Sequence, residues 1–574
     1  MAPGTPNHDT GPTGSVTPIP SARKHRLDDA YDASENRRKD PKVNEQSQVN
    51  ITEGASDSSE NVGNGAPSRA SPELVIEGQM FHRQTVESWL EAVLNNRRTN
   101  SPSTNCLGVA KYSIILTILA IAQFRISKSE SSNDEVSALR STDPLFCAAM
   151  HLTDTERGFP RLESAQARLI QVLYLLQTFR VNRAWYVFGN VYQIVSSLGL
   201  HRRRSRKQNA PSNGLSNYIK AQCAKRVFWV TYTIDKYLSV VMGRPQLLHD
   251  DDINQDFPDS VNDEDIGPDG LVTVDAAEDC HIDSLIFHAK IAHIIGRISR
   301  QVYSVGNSVG EGRKAAAYHM VHELHVWRAN LPLHLGTIKL STLIPSFRRE
   351  ATALQLAYSH ALIHVNRPFL LGDVVSSDDE SEVKDRITEC ISAAKAALEL
   401  VNTMAKDTNL LHSFWWTHYV TFCALAVVYI WNIQCKARND EHLENESSYV
   451  KLFDLAEKCR AHLAWNGSPA SPGRRYAAIL DELRLEAQRE TVSNTIMDPG
   501  PGIAGRVGHT SNSQLSVFDG SGLAEAPFEC IASIDKPVNP VPSMLDTWQA
   551  VDWLDLDASA FYSALDDLGI SPTW

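Results

Sequence analysis

The sequence predicts an all-α protein, a large multi-helix domain flanked by disordered N- and C-terminal segments. Three observations carry this. Apolar residues recur at three- and four-residue spacing in window after window between residues 73 and 490. Glycine and proline stand at the ends of those windows, where helices stop. Runs that alternate with period two between hairpin turns do not occur, so no sheet is expected. A hydrophobic fraction of 42% with 21% charged residues supplies a sizeable core.

Residues 1–72 hold a single aromatic, Tyr31, and are rich in Pro, Gly, Ser, Asn and charge. They cannot bury enough apolar area to offset the entropy of ordering, which makes them a disordered segment. Two basic clusters, Arg23-Lys24-His25-Arg26 and Arg37-Arg38-Lys39, have the spacing of a bipartite nuclear import signal. The plain alternative is solvated charge in a tail. The net charge of −13 argues against a broad nucleic-acid-binding surface, but not against a small basic module.

The helical domain spans residues 73–490. Val86, Trp89, Leu90, Val93 and Leu94 mark a first amphipathic helix. Residues 109–125 carry few charges and read as a buried helix, residues 127–141 as a polar insertion, and Leu145 to Leu152 as the next helical piece. A helical hairpin follows. Leu169, Val172, Leu173 and Leu176 form one stripe, and Trp185, Phe188, Val191, Tyr192, Val195 and Leu198 the other. Gly199 sits where a left-handed residue ends a helix, and the cations from His201 to Arg204 suit its negative end. The basic run His201 to Lys207 fits a helix-capping loop better than a DNA contact, because phosphate contacts need an element docked in register. A third helix from Tyr218 to Val241 stops at Gly243-Arg244-Pro245. An acidic loop then runs from Pro258 to about Glu278. Further helices are predicted at His281 to Val305, Arg313 to Ala329, Ser346 to Val365, Asp385 to Lys406 and Leu411 to Cys435. A final pair lies near Tyr449 to Leu463 and Arg474 to Arg489.

Residues 491–543 are again rich in Gly, Pro and Ser and read as a disordered linker. Residues 544–574 hold six aspartates and no lysine or arginine, interleaved with large apolar side chains. Such interleaving is the composition of an activation segment: aspartates keep the aromatics solvated until they dock in a coactivator groove as a short helix. Asp546, Trp548, Asp552, Trp553, Leu554, Asp555, Phe561 and Tyr562 are the residues assigned to it. A C-terminal helix packed back on the domain is the alternative.

Several classes of chemistry find no support. The nine cysteines include no C-x-x-C pair, so zinc of the usual finger spacing is not expected, and they read as reduced thiols of an intracellular protein. The apolar run Tyr112 to Phe124 is too short for a membrane span, and Phe414 to Ile433 reads as the buried helix of a bundle, so no membrane partner is expected. Asp378-Asp379-Glu380-Ser381-Glu382 fits a magnesium-binding D-D-x-x-E but falls in a Ser/Asp-rich loop, which leaves a magnesium-dependent helical enzyme only a minor alternative. Gly306 to Gly310 matches G-x-S-x-G without the strand that a nucleophile elbow needs, and Gly500 to Gly505 matches G-x-G-x-x-G inside the linker. His319, His322 and His325 share a helix face without further metal ligands in view. No catalytic residue, metal or cofactor is expected.

The motif order is more specific. It comprises Ser197-Leu198-Gly199-Leu200-His201-Arg202, Arg226-Val227-Phe228-Trp229, Tyr232, Asp235, Met242-Gly243-Arg244-Pro245 and Asp252-Ile253 to Phe257-Pro258. Trp327-Arg328 to Leu331-Pro332 and His364-Val365-Asn366-Arg367-Pro368-Phe369 come later. This order resembles the fungal-specific transcription factor domain, the regulatory middle region of fungal binuclear-zinc-cluster regulators. The resemblance covers roughly residues 80–490. It implies structural roles for Gly199, His201, Arg226, Trp229, Asp235, Gly243, Arg244, Pro245, Arg367 and Pro368. It also implies action in the nucleus on a metabolic or secondary-metabolite gene set, a transcriptional coactivator as partner, dimerisation with another zinc cluster regulator and a small-molecule effector. Residues 1–72 contain no cysteine, so the six-cysteine cluster by which such regulators enter the major groove does not occur there. Two expectations follow: DNA contact is indirect, through a DNA-bound partner, or the cluster belongs to an upstream exon missing from this sequence. An adaptor or repressor that does not bind DNA is the alternative.

Overall fold

A computed structural model of the chain describes residues 79–98, 107–130, 135–203, 217–272, 279–303, 311–372, 380–406, 415–437, 447–465 and 472–488. All belong to one compact unit, residues 71–574; the other unit, residues 1–70, lies outside the described residues.

Fourteen α-helices are found among the described residues. They are α1 (Arg83–Arg98), α2 (Val109–Glu130), α3 (Glu135–Asp154), α4 (Leu162–Gln177), α5 (Val181–Ser197), α6 (Tyr218–Met242), α7 (His281–Gln301), α8 (Glu311–Ala329), α9 (Leu333–Gly336), α10 (Pro345–Leu371), α11 (Glu380–Met404), α12 (Thr417–Ala437), α13 (Ser447–Trp465) and α14 (Pro472–Gln488). The chain is all-α, as its periodicity predicts. One small exception is a hairpin inside the acidic loop: β1 (Ile266–Gly267) pairs antiparallel with β2 (Gly270–Leu271) across Pro268 and Asp269. Two residues per strand are too few to leave a period-two signature, and Gly270 supplies the positive φ (141°) the turn needs. The hairpin is tied to α6, whose first residue Tyr218 donates its N–H to the Pro268 carbonyl at 2.8 Å.

Helices pack mostly on their sequence neighbours. α2 lies against α3 and α4, α4 against α5, α6 against α7, and α7 against α8 and α10; α10, α11 and α12 form the next group, closed by α13 and α14. One hydrophobic core runs through them all, from Met80 to Ala487. α4 is buried on every side from Ser164 to Gln177, and α5 turns Phe188, Val191 and Val195 inward. α5 ends as its glycine predicts. Gly199 is left-handed (φ 63°), with its N–H on the Ser196 carbonyl and that of Leu200 on the Val195 carbonyl.

Three boundaries differ from expectation. The predicted polar insertion 127–141 is largely helix: α2 continues to Glu130 and α3 begins at Glu135. Ser141 and Thr142 return their hydroxyls to the Ala138 carbonyl, so these polar side chains find their partners inside the helix itself. α10 runs past Val365 to Leu371 with Pro368 inside its last turn, and Gly372 (φ 81°) closes it. α2 and α12 are long and apolar enough to cross a membrane by length and composition. α12 is instead surrounded by α10, α11, α13 and α14, and α2 lies against α1, α3 and α4.

Candidate functional site

The motif residues converge on α6 and on the connection from Gly243 to Cys280 that follows it. α6 is buried almost throughout, so every polar side chain on it needs a partner. Arg226 is fully buried and reaches three of them: the Phe81 carbonyl at 3.2 Å, Asp263 at 2.5 Å and the Val261 carbonyl at 3.4 Å. Asp263 also accepts the Arg83 N–H at 2.7 Å, so one ion pair fastens both the start of α1 and the connection to α6. One turn further on, the Trp229 indole donates to the Asp256 carbonyl at 3.0 Å and stacks on Phe257 at 4.3 Å. This explains the Phe257-Pro258 end of the motif.

Asp235 carries the next fastening. Its carboxylate accepts the N–H groups of Leu247 (2.9 Å) and Leu248 (3.1 Å) and pairs with Lys236 at 3.2 Å. Lys236, fully buried, also donates to the Leu248 carbonyl. Burial pushes its ammonium below the ordinary lysine range, and the charges of Asp235 and Asp250 oppose that shift. The chain reaches Leu247 through Gly243, left-handed at φ 60°, and Pro245. Arg244 bonds Asn182 at 2.7 Å and lies over the Trp185 ring at 4.4 Å, joining the end of α6 to the start of α5.

The three consecutive aspartates form a 3₁₀ turn, Asp250–Asp252, rather than a plain loop. Asp250 accepts the Tyr232 hydroxyl at 2.6 Å, binds Arg300, and lies 3.5 Å from His293. Burial raises its pKa, but the hydrogen bonds from His293 and Tyr232 and the charge of Lys236 outweigh burial and hold the carboxyl well below its usual range. A carboxylate so engaged is a structural anchor. His201 contributes its backbone, its carbonyl accepting the Asn254 N–H at 3.1 Å.

Arg367 and Pro368 lie apart from this network, at the end of α10. Proline lacks the N–H that would reach the His364 carbonyl four residues back. The Tyr303 hydroxyl takes that place at 2.6 Å, and Arg367 covers the Tyr303 ring at 5.1 Å. The Tyr303 ring also stacks on His364 at 4.5 Å. Trp327, of the other late motif, donates its indole N–H to the Phe287 carbonyl at 3.1 Å.

Other candidates are placed as follows. His319 pairs with Glu323 at 3.1 Å and His325 with Glu389 at 2.7 Å, both on the outer side of α8. Among the described residues no group of three or more His, Cys, Asp or Glu side chains is gathered as a metal would require. Asp378, Asp379 and the glycine patterns at 306–310 and 500–505 lie outside the described residues. So do the import clusters (Arg23, Lys24, Arg26, Arg37, Arg38, Lys39) and the activation residues from Asp546 to Tyr562. Sequence reasoning missed Asp263, Lys236, Tyr303 and the anchoring role of Asp250. Only Lys236 left a signal, as a charge inside an apolar helical run beside Asp235.

The motif residues of the helical core thus lock the long connection that follows α6. Residues 77–329 match the family model of the fungal specific transcription factor domain. "Activator of stress genes 1" of Saccharomyces cerevisiae is 23% identical over 390 residues, covering 65% of this chain and 38% of that protein. A putative transcriptional regulatory protein of the same yeast is 24% identical over 370 residues, 61% of this chain and 47% of the relative. "Transcriptional activator protein acu-15" of Neurospora crassa is 23% identical over 270 residues, 46% of this chain and 27% of the relative. The chain thus spans less than half the length of these three relatives, which are fungal transcriptional regulators. No solved structure matches it.

Proposed function

We propose that this chain is a nuclear transcriptional regulator whose helical domain responds to a small-molecule effector or a protein partner and whose segment 544–574 recruits a coactivator. The observation that carries the reading is the family domain itself, with its motif residues Arg226, Trp229, Asp235 and Arg244 engaged in one network around α6. The names of its relatives support regulation rather than catalysis. The two basic clusters of residues 23–39 support nuclear import. The six aspartates and interleaved aromatics of residues 544–574 support coactivator docking as a short helix.

DNA contact runs through a partner, another zinc cluster regulator being the natural dimer mate, or through a cluster outside this sequence, in which no two cysteines stand closer than twelve residues. The target is a metabolic or secondary-metabolite gene set.

A reporter assay tests this. The whole chain and, separately, residues 544–574 are fused to a foreign DNA-binding domain. Activation by the short segment, abolished by Trp553→Ala with Phe561→Ala, is the expected result. Silence from both fusions sinks the activator reading and leaves an adaptor or a repressor.

A further inference from the structure

We propose that the junction of the α4–α5 turn with α6, α7 and α12 is a binding site for a small uncharged aromatic molecule bearing a hydroxyl or a ring N–H. Its wall is aromatic. Tyr237 of α6 stacks on Trp416, which precedes α12, at 5.0 Å and meets the His288 ring of α7 edge-on at 6.5 Å. His418 of α12 sits edge-on to Phe179 at 4.9 Å.

Its polar groups are those that the protein does not serve itself. The Tyr237 hydroxyl, both ring nitrogens of His288 and the Ser284 hydroxyl one turn before it on α7 have no hydrogen-bond partner among the described residues. All three side chains are buried, at 3%, 0% and 0% exposure. The Thr417 hydroxyl beside Trp416 is in the same position. The most deeply buried tyrosines elsewhere are paired: Tyr174 with Thr142 and Asp143, Tyr232 with Asp250, Tyr429 with Glu457. Buried polar groups in native proteins are hydrogen-bonded, and a cluster of unserved ones marks a place where something else supplies the bonds.

A second observation lies beside the start of α12, where His418 meets Phe179. Phe179 is the one non-glycine residue with positive φ (57°) among the described residues. A bulky residue in the left-handed region is strained, and such strain collects at ligand clamps. The turn is held there by N–H bonds from Phe179 to Leu176 and from Arg180 to Leu175, at 3.1 and 2.8 Å.

The chemistry selects the ligand class. Tyrosine and serine hydroxyls each donate and accept, and a neutral imidazole does one with each nitrogen. Burial pushes His288 down to about 3, so it stays neutral at physiological pH. An ionised ligand would enter without a counter-ion among these side chains, at a prohibitive desolvation cost. An aromatic ring with one polar handle matches both the wall and the polar groups. The site deepens the effector reading and rests on it only for its regulatory consequence.

The test uses the full chain, with phenol and indole as probes and benzoate as the charged control. Thermal unfolding is followed at about 5 mM probe, and calorimetric titration measures binding. Phenol or indole should raise Tm by about 1–2 °C, and benzoate should not. In Tyr237→Phe, which removes a single oxygen, the shift should fall by about half or more. In Ser284→Ala/His288→Leu it should vanish while the unliganded protein melts no lower. If neither uncharged probe shifts Tm, if Tyr237→Phe keeps the full shift, or if benzoate acts equally, the proposal is overturned and the groups are served by internal water. Tyr237→Phe alone decides if the double variant fails to fold. Reporter output plays no part here, so failure of the site and failure of the regulator reading are told apart.

Discussion

At the scale of single residues, the motif side chains act as fasteners. Asp235 is the clearest case, because it compensates both the backbone of residues 247–248 and a fully buried lysine. Asp235→Ala leaves Lys236 without its paired carboxylate and two backbone N–H groups without their acceptor, and should lower stability by about 3–5 kcal/mol, read from urea unfolding of the purified chain. Two glycines illustrate different constraints. Gly199 is left-handed with nothing within 4 Å of an added Cβ, so Gly199→Ala should cost only the conformational penalty, about 1 kcal/mol. A Cβ on Gly296 would come within 3.0 Å of the Lys236 side chain, so Gly296→Ala should disturb that buried pair and cost about 1–3 kcal/mol by the same measurement. The fasteners on α6 were legible as a motif order, but their partners were not. Asp263 and Asp250 belong to a connection whose sequence reads as solvated acidity, and only the fold reveals which acids turn inward.

Among the elements, periodicity located the helices well and their ends less well. Residues 127–141 looked like an insertion because polar side chains dilute the apolar stripe, although serine and threonine hydroxyls here bond back to helix carbonyls. The extension of α10 past Val365 was hidden for a different reason. A proline four residues beyond His364 normally ends a helix, and the remedy comes from α7, through Tyr303 just beyond its end. Tyr303→Phe should therefore cost about 1–3 kcal/mol by orphaning the His364 carbonyl. In Tyr303→Phe/Pro368→Ala the restored N–H reaches that carbonyl, and the loss should be smaller than in the single variant. A double-mutant cycle in urea measures the coupling, and additive losses would contradict it.

At the scale of the whole molecule, buried histidines among the described residues carry much of the pH dependence near neutrality. Burial depresses His288 to about 3 and His360 to about 4, and holds His364 well below its ordinary value. The unfolded chain, titrating near 6.5, then binds more protons than the native one at mildly acidic pH. The stability these groups contribute is present above about 6.5 and is lost as pH falls toward 4. His281, raised by Glu350 against the pull of burial, and Glu350, raised by burial, have the opposite sign, but they stand against three strongly depressed histidines. The urea midpoint should fall steadily between pH 7 and 5, and a flat profile would contradict this balance. None of it was legible in the sequence, where a buried histidine and an exposed one look alike.

The continuity of the core has a consequence for how such proteins are cut and recombined. The match to the family model ends at residue 329, the last residue of α8, yet Tyr237 rests on Trp416, α7 lies against α10, and the core runs on to Ala487. A fragment ending at residue 329 would expose what α10 and α12 cover. The portion of this chain that can be moved as one folded piece is thus the full span from α1 to α14. A chimera spliced at residue 329 should come out insoluble, where one spliced outside residues 79–488 comes out folded.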